Sequence, residues 1–560
     1  MGSVLLALGT FFGFILAYRF YGKFISQRIF GINPENITPS HKYEDGVDYL
    51  PTKKGILFGH HFTSIAGAAP IIGPAIAVIW GWVPALIWVI VGSIFMGGIH
   101  DFSSLIISAR NEGKSIGEIS GKIVNNRVRT LFLLFIFFTL LIVIAVFALV
   151  IAILFETYPQ SIFPVWMEIP LAITIGYLVY KKKKDILVPS LIALGVMYLT
   201  IWVGLYLPFS MPDLFGIPST LIWVILLLIY SYIASILPVW TLLQPRDYIN
   251  SHELLVGIVV ILIGLFIGNH QIVAPAFNFA AEGAPPVLPF LFITIACGAI
   301  SGFHSTVSSG TTVKQLDSEK DARFIGYGGM LAEGALATVA ILACSAGFKT
   351  TAAWTTHYAS WSAASGLGAK VSAFVEGGAN FLTSIGFSYE MAAGILAVLV
   401  VSFAATTLDS ATRIQRYVVS ELASDFNIKP LATKHGATIV AVVSAFLLAR
   451  INGGAGGMIL WPLFGTANQM LAALALLVAT VYLIKQKKPI YYTVIPFIFM
   501  VIVETWALVY NINTYTTEAN WLLTIIGGIL LVLELWMVIE SLNVLKKARK
   551  GNLFNDGVEA

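Results

Sequence analysis

The sequence predicts an all-α polytopic membrane protein, and three observations support this fold class. Of 560 residues, 58% are hydrophobic and only 11% are charged, whereas a soluble domain carries roughly 25% charged residues. About 15 apolar stretches are long enough, or nearly so, to cross roughly 30 Å of hydrocarbon. Almost all Lys and Arg residues fall in alternate loops, as expected for a membrane topology. Together these features exclude a protein built mainly from soluble domains.

Each predicted span is a run of mostly Leu, Ile, Val, Phe, Ala and Gly. The stretch 369–386 is also apolar, but it is short and Gly-rich, so it is a candidate re-entrant segment. The predicted spans are 2–20, 62–80, 83–108, 130–153, 163–180, 187–207, 219–241, 254–269, 287–308, 325–346, 390–406, 437–450, 457–484, 490–511 and 520–542.

The distribution of Lys and Arg predicts the orientation of the chain. With the N-terminus outside and the C-terminus inside, all but Lys349, Lys370 and Arg450 of the 33 basic residues lie in inner loops. The formal net charge of +4 therefore reflects topology, and nucleic acid is not an expected partner. The first apolar run, Ser3 to Tyr18, lacks a basic leader and a cleavage motif, so we expect a retained helix and not a signal peptide.

Two connecting stretches are unusually long, the inner loop 21–61 and the outer stretch 347–389, and each is a candidate ordered or gating element. The tail 543–560 is short and basic. The two cysteines, Cys297 and Cys344, both lie inside apolar segments, so they form no disulfide framework and indicate no redox compartment.

One apolar segment is strongly interrupted. Between Gly59 and Trp80 the chain carries Gly67, Pro70, Gly73 and Pro74, and both residue types weaken or break a helix. At membrane depth the freed backbone groups must line a cavity or be buried in protein. Secondary transporters build substrate and ion sites from such broken helices, although a structural helix with a proline kink is an equally ordinary explanation.

Four further segments depart from simple apolar helices. Ser231 to Ile249 contains Pro238, and Ala296 to Thr312 contains seven Ser and Thr residues around His304. Gly456 to Leu471 and Ala404 to Tyr417 are also rich in polar or Gly residues. Several unusual segments in one chain make a coincidental origin less attractive.

The first two interruptions predict an inverted repeat. The helices 62–80 and 219–241 enter the membrane from opposite sides, with four spans between them, so each opens a unit of five helices. Pairing His61-x-x-Ser64 with His304-Ser305 is also antiparallel and stays an alternative. The predicted organisation is an extra N-terminal helix and loop, two repeats and additional C-terminal helices, covering 1–61, 62–207, 219–406 and 407–560.

Charged and hydroxyl side chains at membrane depth are candidates for ion coupling. Charges there are costly and usually face the bundle interior, so Asp101 and Glu333 are candidate proton carriers, with structural hydrogen bonds as the competing explanation. Hydroxyls beside broken-helix carbonyls can also hold sodium, unless they bond back to their own helix. The hydroxyl candidates are Ser305, Thr306, Ser308 and Ser309, whose helix would then resemble the sodium-site helix of LeuT-type transporters.

Substrate contacts are expected at the two predicted breaks. We expect no cofactor and no metal, because His60 and His61 lie about 100° apart on a helix and no metal-binding motif is present. The candidate substrate-binding residues are His61, Ser64, Ala66, Gly67, Ser235, Pro238, Trp240 and Gln244.

Several long motifs resemble the carbon starvation protein (CstA) family. They are GHHFTSIAGAAPIIGPAIA from Gly59, GGIHDFSSLIISARNEGKSIGE from Gly97, LLQPRDYI from Leu242, ACGAISGFHSTVSSGTTVKQL from Ala296 and LWPLFGTANQMLAALAL from Leu460. The resemblance implies a multi-pass protein of the bacterial cytoplasmic (inner) membrane that takes up peptides or pyruvate, with proton coupling proposed. The four lysines from Lys181 and the stretch 347–389 depart from the family, which leaves the substrate open.

The expected function is therefore a secondary transporter, not an enzyme, that imports a small peptide or carboxylate together with a proton or sodium by alternating access. A membrane nutrient sensor with a partner protein is the alternative, and a membrane enzyme is a weaker one. A channel is harder to distinguish from residues alone. The sequence does not predict an oligomeric state.

Overall fold

The fold is known from a computed structural model that describes residues 2–123 and 126–549. Within those ranges, twelve helices are long and apolar enough to cross a membrane. The all-α polytopic prediction is confirmed, and residues 550–560 of the predicted basic tail lie outside the described part. The twelve are α1 (Gly2–Ile29), α4 (Trp82–Arg110), α6 (Asn126–Thr157), α7 (Pro159–Lys181), α8 (Leu187–Gly204), α9 (Ser219–Ile236), α10 (Leu243–Ile267), α13 (Glu319–Ala346), α15 (Tyr389–Asp425), α17 (Gly457–Lys485), α18 (Tyr491–Thr517) and α19 (Trp521–Lys546).

The remaining predicted spans correspond to broken or short elements. Helices α2 (Lys54–Ala66) and α3 (Ala69–Trp80) form a pair bent by 42°, which makes a thirteenth span if counted as one. Helix α16 (Lys434–Ala449) has 16 residues, and the span predicted at 287–308 is two short helices, α11 (Val287–Thr294) and α12 (Gly302–Gly310). The total of about fifteen therefore stays a prediction.

Two further helices lie in segments that connect spanning helices, and the second of them falls in one of the long predicted stretches. Helix α5 (Ile116–Ile123) follows α4, and α14 (Leu367–Thr383) lies within the predicted outer stretch. Most side chains of α14 are buried, and it packs against α13 and α15. The Gly-rich segment is thus an ordered helix between two spanning helices.

The first predicted interruption is confirmed, and a single glycine makes it. Helix α2 ends at Ala66, and Gly67 follows with φ +51° and ψ −148°, a conformation that glycine adopts most easily. Pro70 occupies the first turn of α3, where a missing N–H costs nothing, and Pro74 lies inside α3. The break thus falls before both prolines.

The predicted break in Ser231 to Ile249 is wrong as a break within one span. Helix α9 ends at Ile236 and α10 begins at Leu243, so Pro238 lies in the turn between two separate spans. The residue before a proline avoids helical backbone angles, and Leu237 is extended with ψ 151°. Pro238 therefore ends one helix at the end of the bundle.

The second interrupted helix is instead α11–α12, with the non-helical segment 295–301 between its halves. Gly298 has φ +92°, and a Cβ atom built there would lie 3.7 Å from Pro70 Cβ. A Cβ atom on Gly73 would approach Thr294 O to 2.5 Å. The two interruptions therefore touch each other, and the alternative pairing of His61-x-x-Ser64 with His304-Ser305 stays a prediction.

The long helices at the centre of the bundle pack against the interrupted helices and against each other. Helix α10 packs along α2 and α15, while α17 packs along α12 and α6. The long helices α6 and α15 also lie against each other. In the most apolar 18-residue stretch of α15, 94% of the residues are buried, against 28% in that of α19. Helix α15 therefore lies at the centre of the bundle, and α19, the last helix, lies at its edge.

The segments predicted to be inner loops meet at one end of the bundle. Lys53 Nζ lies 3.6 Å from Asp185 Oδ2, and the Leu50 N–H donates to the carbonyl of Lys314 at 3.1 Å. We call this end the basic face, defined by Lys53, Lys314 and Arg416. The other end is the opposite face, defined by the contact of Trp80 and Trp361, whose ring centroids are 5.3 Å apart.

Asp48 attaches the loop before α2 to the basic face. Its carboxylate accepts a hydrogen bond of 2.5 Å from Arg413 Nη1 and bonds of 2.9 and 3.0 Å from Arg416 Nη2. Burial opposes ionisation of Asp48, but the positive charges of Arg413 and Arg416 outweigh it and hold its pKa well below the usual value. The loop is therefore held by a charge cluster that is mostly removed from water.

We expect Asp48→Asn to lower the stability by roughly 3–5 kcal/mol, because it leaves two arginines without their shared carboxylate. The measurement is thermal unfolding of the purified full chain in detergent. Because the folded pKa is depressed, the stabilisation is present above about pH 4, the ordinary value for an aspartate, and is lost as the pH falls further.

Glu44→Gln is the matched control, since Glu44 is an exposed carboxylate in the same loop. Equal unfolding temperatures for the Asp48 and Glu44 variants would contradict this role for Asp48.

Candidate functional site

The centre of the candidate site is the contact between the first interruption and α15. Ser64 Oγ lies 2.7 Å from Ser410 Oγ, and Thr407 Oγ1 donates to the carbonyl of Ser64 at 3.1 Å. The Ser64 carbonyl belongs to the last turn of α2, where helix bonding ends. The Thr407 hydroxyl thus supplies the hydrogen bond that a continuous helix would provide to the Ser64 carbonyl.

A chain of ionisable side chains lies beside the second interruption. His100 Nδ1 lies 2.7 Å from Asp101 Oδ1, and His304 Nδ1 lies 3.0 Å from Asp101 Oδ2. On its other side, His304 Nε2 lies 3.4 Å from Glu333 Oε2. All four side chains are fully buried. An imidazole held between two carboxylates can accept a proton from one and pass a proton to the other.

Glu333 also stabilises the unwound backbone. The N–H of Gly298, within the non-helical segment 295–301, donates to Glu333 Oε1 at 3.1 Å. The two predicted proton carriers, Asp101 and Glu333, are therefore brought together by His304. The sequence pointed to each carboxylate through its depth in an apolar span but did not indicate their common partner.

A metal could be considered at one place in this chain of side chains. Candidate ligand atoms of Cys297, His304 and Glu333 all lie within 4.8 Å of one another and are buried. However, the imidazole and the carboxylate already face each other at 3.4 Å, and the other imidazole nitrogen is bonded to Asp101. A metal ion there would have to replace that ion pair.

A second charged group lies beside α2 and was not predicted as a site. His60 Nδ1 lies 2.6 Å from Asp247 Oδ2, and Arg246 Nη2 donates to Asp247 Oδ1 at 2.9 Å. Arg246 also pairs with Asp409, whose Oδ2 accepts from the Tyr230 hydroxyl at 2.9 Å. The sequence feature that could have indicated this group is the pair Arg246-Asp247, which stands just before an apolar run.

The four predicted hydroxyls of α12 are mostly satisfied within their own helix. Ser305 Oγ donates to the carbonyl of Gly302 at 2.7 Å, and Thr306 Oγ1 donates to that of Phe303 at 2.6 Å. Ser309 Oγ donates to the carbonyl of Ser305 at 2.7 Å. Ser308 Oγ has no hydrogen-bond partner among the described residues. The hydroxyls that meet the first broken helix at Ser64 belong instead to Thr407 and Ser410.

The predicted substrate residues divide into two groups. His61, Ser64, Ala66 and Gly67 are buried at the end of α2, beside the interruption. The other four lie around the turn between α9 and α10, and Gln244 Nε2 donates to Thr52 Oγ1 at 2.9 Å. The 13 residues of α2 separate Thr52 from Gly67, a length of about 20 Å. The distant group is Ser235, Pro238, Trp240 and Gln244.

Two cavities flank the interruptions. The opposite-face cavity has about 550 Å³ and is lined by Gly73, Thr294 and Cys297, among others. The basic-face cavity has about 440 Å³ and is lined by Thr306, Ser309 and Lys314, among others. Between them, Asn468 Oδ1 accepts the Phe303 N–H at 2.8 Å and closes α12 against α17. The second interrupted helix thus reaches one cavity at each of its ends.

The match to a known protein family completes this description. The profile of the family described as Carbon starvation protein CstA matches residues 2–353 and 346–507. The chain belongs to this family. It is a multi-pass protein of the bacterial inner membrane, in agreement with its apolar helices.

Similar proteins carry transporter names. The Peptide transporter CstA of Campylobacter jejuni is 32% identical, with 90% of this chain and 79% of that protein covered. The Pyruvate/proton symporter BtsT of Escherichia coli is 32% identical, with 88% and 80% covered. The Peptide transporter CstA of Bacillus subtilis is 29% identical, with 96% and 95% covered. These names do not favour the sensor alternative, and they agree with a protein that is not an enzyme.

One solved structure is also similar to this CstA-family chain. It is the crystal structure of MhsT in complex with L-phenylalanine, with a TM-score of 0.47 and 12% identity, covering 88% of this chain and 98% of that chain.

We expect Gly67→Ala to destabilise the protein by roughly 1–3 kcal/mol, the usual cost of a side chain in such a backbone conformation. The added Cβ would also lie 2.8 Å from Phe147 Cε1. Thermal unfolding of the full chain in detergent measures the effect. Gly13→Ala is the control, because Gly13 lies in α1 with no heavy atom within 4 Å of a built Cβ. Similar unfolding temperatures for both variants would refute the strained position of Gly67.

Proposed function

We propose that this CstA-family protein is a secondary transporter that imports a small peptide or a pyruvate-like carboxylate by alternating access. One observation carries the proposal: two interrupted helices touch at mid-bundle, between cavities that belong to opposite faces. Broken helices around a central site are the usual construction of such transporters. The names of the relatives, a peptide transporter and a pyruvate/proton symporter, supply the candidate substrates.

The packing supports an inverted repeat with bounds that differ from those predicted. The first unit would run from α2 to α10, with the hairpin α7–α8 inserted, and the second from α11 to α17. In this arrangement α10, the last helix of the first unit, packs along α15, and α17, the last helix of the second unit, packs along α6. Long helices, α6 and α15, would occupy equivalent places. The broken first and sixth core helices are then α2–α3 and α11–α12.

The proposed substrate site lies at the interruptions, beside Ser64, Ala66 and Gly67. Helix α3 begins at Ala69, next to the break, and no side chain caps its first turn. Free N–H groups at a helix N-terminus carry partial positive charge and suit a carboxylate. His61 borders the same region, with its Nδ1 2.9 Å from Thr312 Oγ1.

The proposed proton path is the chain of Asp101, His304 and Glu333. This chain of side chains lies close to the opposite-face cavity, because Cys297 lines that cavity and also lies beside His304 and Glu333. A proton arriving from that cavity therefore has a short route to the carboxylates. As an alternative to the proton path, we propose that the hydroxyls of Ser64, Thr407 and Ser410 bind a cation beside the broken helix.

The transport proposal is tested by flux into proteoliposomes that contain the full chain. We expect saturable uptake of labelled pyruvate or of a labelled dipeptide, stimulated by an inward proton gradient and reduced by a protonophore. Substitution of sodium for potassium outside tests the other cation. Absence of saturable flux for both substrate classes would refute the proposal, and linear flux that never saturates would indicate a channel.

We expect Asp101→Asn to reduce proton-driven accumulation by roughly 5–150-fold, the range of ordinary coupling free energies. Exchange of labelled for unlabelled substrate at equal pH should continue, because exchange requires no net proton movement. The same two assays on Glu333→Gln test the other end of the path. The control is Glu390→Gln, an exposed carboxylate at the start of α15. Normal proton-driven accumulation by the Asp101 variant would remove it from the path.

A further inference from the structure

Lys370 is a basic residue in an unusual place. It lies in the first turns of α14, the residue as a whole is only 8% exposed, and it lines the opposite-face cavity of about 550 Å³. Only two other basic residues, Lys349 and Arg450, share its predicted side of the membrane. A long cationic side chain is rarely buried without a partner, so its environment is informative.

No charged group of the protein balances Lys370 within the described ranges. No described carboxylate forms an ion pair with its amino group, and burial alone lowers its pKa to about 8. Glu518 lines the same cavity but is exposed and makes no ion pair with the lysine. A buried ammonium without a counter-ion is costly, so a cavity that keeps one is suited to an anion from outside.

The surroundings of Lys370 also favour an anion. Helix α14 begins at Leu367, and its N-cap residue, Gly366, offers no side-chain cap. Ser365 lines the cavity beside this N-terminus, where partial positive charge accumulates. At the floor of the cavity, Ala69 begins α3, a second helix N-terminus without a side-chain cap.

The walls of the cavity define the rest of the ligand. Trp361 and Trp461 supply apolar and aromatic surface, and Asn511 adds a neutral polar group. A volume of this size suits a small organic molecule. Besides the exposed Glu518, the cavity therefore combines one buried cation, two helix N-termini and aromatic walls, an arrangement for a small carboxylate.

We propose that Lys370 binds the carboxylate of the incoming substrate in the opposite-face cavity, before the substrate reaches the interruptions of α2–α3 and α11–α12. This inference rests on the proposed transport function and names the chemical group that the entry site selects. Two ligand classes carry that group: small monocarboxylates such as pyruvate, and the C-terminal carboxylate of short peptides. A peptide blocked as an amide lacks it.

The first test uses the unmodified full chain in detergent and measures the shift of its unfolding temperature with added ligand. The probes are pyruvate, alanylalanine and alanylalanine amide. We expect stabilisation by one or both free acids, since ligand that binds only the folded state raises the unfolding temperature. Stabilisation by the amide equal to that by the free dipeptide, with none by pyruvate, would overturn the proposal without any variant having to fold.

The second test compares Lys370→Gln, Lys370→Arg and the control Lys349→Gln in proteoliposome flux. Lys349 is exposed and precedes the same helix. We expect Lys370→Gln to raise KM for the carboxylate substrates by about tenfold or more, the effect of losing a charged hydrogen bond, with kcat changed little. The Arg variant should retain most of the affinity. A KM equal to that of the Lys349 variant would overturn the role of Lys370.

The results separate the two proposals. If the unmodified protein shows no saturable flux, the transport function itself fails. If the flux is normal and proton-driven, but the Lys370→Gln variant keeps its KM, only the carboxylate site fails. A loss of affinity for the dipeptide alone, or for pyruvate alone, supports the site and assigns its natural ligand class.

Discussion

The structure depends on satisfying the backbone groups that two helix interruptions release inside a membrane. Hydrocarbon offers no hydrogen bonds, so each freed group needs a partner from the protein. Glu333 accepts the N–H of Gly298, and Thr407 donates to the carbonyl of Ser64. A carboxylate placed at that depth must in turn be balanced, which explains why His304 lies between Glu333 and Asp101. One constraint on the backbone thus accounts for the most concentrated group of buried charges beside α12.

The two groups of buried ionisable side chains hold different halves of the broken helices. The chain of Asp101, His304 and Glu333 belongs to α4, α12 and α13, while the group around Arg246 and Asp409 joins α2, α9, α10 and α15. Each group therefore ties one half of a broken helix to straight helices around it. A change in protonation on one side alters the pairing that holds that half in place. In the proposed mechanism, this dependence links proton movement to the opening of one cavity and the closure of the other.

Residue types along the chain predicted some of these features and could not predict others. The polytopic helical class and the interruption at Gly67 followed from apolar length and from Gly and Pro within a few residues. The turn at Pro238 was mistaken for a break, because a proline at the end of a span and one in its middle have the same local signature. The unwound segment around Gly298 has no proline, so only its Gly and Ser content marked it. The partnership of Asp101 with His304 joins residues 203 apart in the chain, and such distances are decided by helix packing. Lys370 could have been singled out as one of three basic residues on its predicted side.

The combination of an anionic substrate with a proton has an electrostatic reason. Bringing one negative charge into a cell against an inside-negative potential costs about 2.3 kcal/mol per 100 mV. A proton carried in the same step cancels that charge, so a monocarboxylate and its proton move without electrical cost. The proposed arrangement places the two charges near each other, since Lys370 and Cys297 line one cavity and Cys297 lies beside His304 and Glu333. A zwitterionic dipeptide carries no net charge and would make the same proton step electrogenic. The dependence of uptake on membrane potential therefore distinguishes the two substrate classes on physical grounds, even where both are bound through a carboxylate.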